Sequence, residues 1–155
     1  MSRADNVAYG LNNVLKKCDG IRAVFEPGAI DVAYPFNGKT VYNVGDSLYY
    51  ADLTDSLPSA TLIGNLAGQD INKQSFALRD DSLLVASGGH LQKVDATWNM
   101  ATDSGSPYCD RAFIDNGRIM VALTSDAGGT DSDYLYWASI GDDTVWDLTP
   151  QPEND

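Results

Sequence analysis

Leu48-Tyr49-Tyr50-Ala51-Asp52-Leu53 returns as Leu91-Gln92-Lys93-Val94-Asp95-Ala96 and again as Leu135-Tyr136-Trp137-Ala138-Ser139-Ile140, at offsets of 43 and 44 positions. Self-similarity at such a spacing points to a repeat architecture in which neighbouring units bury one another's faces. A second strand-like run precedes each hexamer: Thr40-Val41-Tyr42-Asn43-Val44, Leu83-Leu84-Val85-Ala86-Ser87 and Ile119-Met120-Val121-Ala122-Leu123. Each of these follows a turn signal, Asn37-Gly38, Asp80-Asp81 or Asn116-Gly117. Asn-Gly suits a two-residue hairpin because both central residues need positive φ. A further run lies before each turn, over 29–36, 74–78 and 111–114, and a weaker one follows each hexamer, over 60–63, 98–101 and 144–146.

Four short antiparallel strands in about 43 residues is the size of a propeller blade. The sequence therefore predicts an all-β, β-propeller-like fold of about three four-stranded antiparallel blades within 29–149, at about 29–66, 73–105 and 109–148. An N-terminal hairpin or arm occupies 1–28, with Val7 to Tyr9 and Val14 to Lys17 around Asn12-Asn13, and 150–155 is a polar tail. The third copy carries an insertion from Ser125 to Asp133, which a surface hairpin tolerates at small entropic cost. Propellers typically close with four to eight blades, so three leave end blades without neighbours. The chain is expected to be part of a longer propeller or to assemble with copies of itself or with other proteins. The aromatic density of Leu135 to Ile140 predicts that this strand is the best-buried part of the third blade.

Several motifs resemble propeller-type virion structural proteins of tailed bacteriophages, the DNA-stabilisation, tail-accessory and tail-nozzle proteins. The opening Ala4-Asp5-Asn6-Val7, Asn13-Val14-Leu15, Asp19-Gly20 and Gly45-Asp46-Ser47-Leu48-Tyr49 is similar to their first hairpin and Gly-x-x-Leu-Tyr strand. The closing stretch Asp133 to Asp147 resembles their Leu-Tyr-x-Ser, Gly-Asp-Pro, Thr-x-Trp pattern, with Asp143 in place of the proline. Relatives of that kind continue into more blades. The resemblance implies a structural, non-enzymatic role in the virion, assembled in the bacterial host cytoplasm, by protein–protein contacts at the head–tail connector, tail nozzle or tail. A cellular carbohydrate- or peptide-binding propeller fragment is the alternative.

Composition narrows the chemistry. The net charge of −12, with basic residues scattered apart from Lys16-Lys17, excludes the Lys/Arg patch that sequence-specific nucleic acid binding requires. Cys18 and Cys109 form no metal-binding pair with the single His90 and are expected to be reduced. No stretch approaches the roughly 18 apolar residues of a membrane span, and no secretory leader is visible. His90, in Gly88-Gly89-His90, reads as a surface-turn residue, and no nucleophile elbow accompanies it. Glu26 and Glu153 are the only glutamates, and most aspartates suit turns, so no glycosidase pair is expected. Asp126, Asp131 and Asp133 lack EF-hand spacing and read as a solvated loop rather than a calcium site. No cofactor is implied. Tyr134, Tyr136, Trp137 and Trp146 are the candidate assembly or packing residues, with Tyr134 and Tyr136 on one strand face and Trp137 on the other.

Overall fold

A computed structural model describes residues 7–9, 15–17, 30–52, 59–68, 74–125, 131–132, 135–140 and 142–148. Among them every regular element is a strand. Strands β1 (Val7–Tyr9) and β2 (Leu15–Lys17) pair antiparallel. A first sheet runs in chain order through β3 (Ile30–Phe36), β4 (Lys39–Val44), β5 (Ser47–Ala51) and β6 (Ala60–Asn65). The second comprises β7 (Ser75–Arg79), β8 (Ser82–Ala86), β10 (Gln92–Val94) and β11 (Met100–Thr102), with β9 (Gly89–His90) peeled away from it. The third orders β12 (Tyr108–Asp115), β13 (Arg118–Ser125), β15 (Tyr136–Ser139) and β16 (Asp142–Asp147), and adds β9 beside β12 and β14 (Asp131–Ser132) beside β13.

The hairpin turns follow their residues. Asn37 and Gly38 have φ of 46° and 72°, and Asn116 and Gly117 have 47° and 75°, as a twist-matched two-residue turn demands. In the second hairpin only Asp80, at 52°, takes the left-handed conformation.

The sheets stack face to face, and β8 shows why. All five of its residues, Ser82 to Ala86, are buried. Strand side chains alternate between faces. Leu83 and Val85 join Phe36, Val41, Leu48 and Leu66 in a core against the first sheet, while Leu84 and Ala86 join Cys109, Ala112, Ile119 and Val121 in a core against the third. A strand covered on both faces reads as a continuous apolar run rather than an alternation, as Leu83-Leu84-Val85-Ala86 does. The second sheet thus has a leading face toward the first and a trailing face toward the third, and the corresponding faces of the other two sheets take the same names. Trp98, in the loop between β10 and β11, seals the first junction: it stacks on Tyr50 at 4.1 Å between ring centroids and meets Phe36 edge-on at 5.5 Å.

The chain leaving β6, over 65–68, is held by side chains of the second sheet. Buried Gln92 accepts a hydrogen bond from the Ala67 amide at 2.8 Å and donates to the Asn65 carbonyl at 3.0 Å. The Gly68 amide donates to Ser87 Oγ. Here two backbones touch: a Cβ on Gly68 would lie 1.7 Å from the Ser87 carbonyl oxygen, and one on Gly89 would lie 2.6 Å from Ala67. The Gly88-Gly89 pair is therefore a crossing point and the start of β9, not a simple surface turn.

The expectation for Leu135 to Ile140 needs correction. Only Ala138 of this segment is fully buried, whereas Leu135 and Ile140 are 43% and 69% exposed. The largest fully buried side chains of the third sheet, Ile119 and Val121, lie on its second strand. Aromatic content marked a surface with a large apolar area, but burial follows position in the stack, and β13 is central to its sheet whereas β15 is one strand from the edge.

Candidate assembly face

The four aromatic candidates do not form one patch. Tyr136 and Trp146 lie on the leading face of the third sheet and pack against its core with the second. Trp146 Nε1 donates to Asp103 Oδ2 at 2.7 Å, pinning the fourth strand to the preceding loop. Trp137 is on the opposite, trailing face, in register with Met120, which in turn pairs with Phe113. The separation of Tyr136 from Trp137 is the alternation read from the sequence; Tyr134 lies outside the described residues.

Phe113, Met120 and Trp137 make a cross-strand apolar row on this trailing face. Leu135, two residues from Trp137, lies on the same side, and Val145 in the neighbouring strand is exposed. Phe113 is 39% exposed and Val145 51%. Asp115 and Arg118, register partners, stand beside the row, as does exposed Asp147. An apolar centre with a charged margin is the usual composition of a protein-contact surface.

Register makes this face comparable with the two that are already covered. Val41, Leu84 and Met120 are each the third residue after the first hairpin turn, and they pair with Tyr50, Lys93 and Trp137 respectively. Leu48, Leu91 and Leu135 then correspond, as do Phe36, Arg79 and Asp115, the last residues before each turn. Leu48 is fully buried and Leu91 is 3% exposed, whereas Leu135 is 43% exposed. Where the first and second sheets bury a leucine against the sheet that follows, the third presents its leucine to solvent.

Several polar groups near the cleft and the third sheet are engaged within the fold. A cleft of about 500 Å³ between the second and third sheets has Leu84, Leu91 and Ile119 among its lining, together with Lys93, Asp103, Asp143 and Thr144. Asp143 pairs with Arg79 and, at 3.7 Å, with Lys93. Asp103 accepts from Trp146 and from the Gly105 amide at 3.0 Å. His90 is half-buried rather than a surface-turn residue, because β9 pairs with β12: its Nδ1 lies 2.6 Å from the Ser106 carbonyl and its ring meets Tyr108 edge-on at 4.5 Å. Burial pushes the Cys109 thiol up to about 12, with the charges of Asp110 and Asp103 adding to the effect. Asp95 is held down to about 2, first by the Thr97 hydroxyl at 2.7 Å and then by the Asn99 amide at 3.0 Å. The Thr144 hydroxyl and amide lower Asp142 in the same way, an Asx turn repeated one sheet later.

Among the described residues no group of three or more His, Cys, Asp or Glu side chains converges as metal ligands, and Asp126 and Asp133 lie outside them. No helix among those residues is long and apolar enough to cross a membrane. No family model, curated protein or solved structure matches the chain.

Proposed function

We propose that the chain is a non-enzymatic structural module, a β-propeller-like array of three blades, that acts by protein–protein assembly through the trailing face of its third sheet. The observation that carries this reading is Leu135, exposed at the position where Leu48 and Leu91 are buried. Repeat units gain much of their stability from nearest-neighbour faces, so an open face of matching pattern is a docking surface. The setting comes from the sequence motifs alone: the resemblance to tailed-phage propeller proteins puts the module in a virion, at the connector, tail nozzle or tail, beside copies of itself or other virion subunits.

The cleft between the second and third sheets supports the rival reading, a small-molecule or sugar site. Its carboxylates argue against it. Asp143 is neutralised by two cations and Asp103 is occupied by Trp146, so a ligand would have to break existing contacts.

Sedimentation at physiological salt tests the proposal, since screening reduces the self-repulsion of a chain of net charge −12. The expected result is reversible association above the 16.7 kDa monomer mass, abolished by Leu135→Asp with cooperative unfolding retained. A wild-type monomer at the highest soluble concentration would overturn self-assembly as the mode, and association unaffected by Leu135→Asp would overturn the proposed face.

A further inference from the structure

The two covered junctions share a slot whose chemistry changes from one to the next. Its walls are the residue before the first hairpin turn and the residue in register with the third position after that turn. In the first junction these are Phe36 and Tyr50, with Lys39 Nζ 4.8 Å from the Tyr50 ring centroid, and the guest is Trp98 from the loop after the third strand of the next sheet. In the second junction the walls are Arg79 and Lys93, and the guest is Asp143, at the start of the next sheet's fourth strand. An aromatic wall takes a ring, and a cationic wall takes a carboxylate.

At the open face the corresponding walls are Asp115 and Trp137, with Arg118 at the register position of Lys39. A large aromatic wall beside a cation repeats the first junction. The difference is a carboxylate where Phe36 stands. Asp115 and Arg118 balance each other's charge, so a guest of either sign meets a like charge there. A ring with a polar hydrogen can stack on Trp137 while its N–H or O–H donates to Asp115, as Trp146 donates to Asp103.

We infer that the partner at this face is a further four-stranded antiparallel sheet of the same repeat type, packed through its leading face, whose loop between third and fourth strands places a tryptophan or tyrosine on Trp137. The inference rests on the assembly reading above and adds the identity of the occupant. Both covered junctions seat a side chain of the following sheet at these two wall positions, and the open face continues their register.

The test appends a second copy of residues 66–106, which carries its own Trp98, after Leu148 of the full chain. An Ala122→Cys reporter, two residues from Met120 on the same face, in a Cys18→Ser background reads the face by maleimide labelling; Cys109 is buried and the appended segment holds no cysteine. Docking is expected to slow labelling about tenfold relative to the unextended chain, and a Trp98→Asp change confined to the appended copy is expected to restore most of the fast rate. Hydrogen exchange on the appended strands reports whether that copy is folded in both versions. Slow labelling that is indifferent to the appended Trp98→Asp would overturn the aromatic guest while leaving docking intact. Fast labelling with the appended sheet folded, or an appended sheet that gains no exchange protection, would overturn docking itself.

Discussion

Trp98 offers the sharpest test of how the sheets are joined, because its backbone and its side chain pull in opposite directions. It closes the loop from Asp95 to Asn99 with φ of 70°, a left-handed conformation that costs an L-residue about 1 to 2 kcal/mol and that glycine adopts freely. Its ring is half-buried between the first and second sheets, against Tyr50 and Phe36. Full truncation of a core tryptophan costs about 3 to 5 kcal/mol. Half burial scales that to about 2 kcal/mol, and the loss of two aromatic pairs adds about 1 kcal/mol more. Trp98→Ala should therefore lose about 3 kcal/mol, whereas Trp98→Gly should lose about 1 kcal/mol less, because glycine releases the backbone strain. This is the reverse of the order at ordinary strand positions. Urea unfolding followed by circular dichroism measures both, and the alanine variant should melt about 6 to 12 °C lower than wild type. An alanine variant as stable as the glycine variant, or a loss below about 0.5 kcal/mol for either, would refute the account.

Gly68→Ala places a methyl group against the Ser87 carbonyl, so the crossing must open; a loss of about 2 to 4 kcal/mol is expected, and an unchanged melting temperature would show that the backbones do not touch. Asp95 has a folded-state pKa below its unfolded value, so its contribution is complete above about pH 4 and disappears as pH falls toward 2. Asp95→Ala should remove that part of the acid dependence, and identical acid titrations of the two proteins would contradict the Asx turn. Cys109, with its thiol pushed up to about 12, should resist iodoacetamide at pH 8 in the folded protein and react only after urea unfolding; rapid labelling in the native state would place it at the surface.

Local chemistry made much of the architecture legible. Asn37-Gly38 and Asn116-Gly117 marked their hairpins, because few residue pairs accept two successive positive φ values, and the spacing of the leucines at 48, 91 and 135 marked the repeat. Gly88-Gly89 was misread as a plain turn. A glycine needed for close approach looks, in sequence, like one needed for a bend, and only the passage of Ala67 and Gly68 beside it tells the two apart. The open face was legible only in part: alternation separated Tyr136 from Trp137, but nothing local distinguishes an aromatic that meets another sheet from one that meets water.

What the sequence by itself determined is most of the antiparallel strands, the Asn-Gly hairpin turns and the period at which they recur, since these depend on φ preferences and side-chain alternation within a few residues; the loop at Trp98 and the short strands at 89–90 and 131–132 were not among them. The tertiary structure alone decided which face of each sheet is covered. It paired Trp98 with Tyr50 and Asp143 with Arg79, moved β9 to a neighbouring sheet, and left Leu135 exposed where Leu48 and Leu91 are buried. Burial depends on what arrives from tens of residues away, and three similar hexamers acquire different environments because each has a different neighbour in the stack.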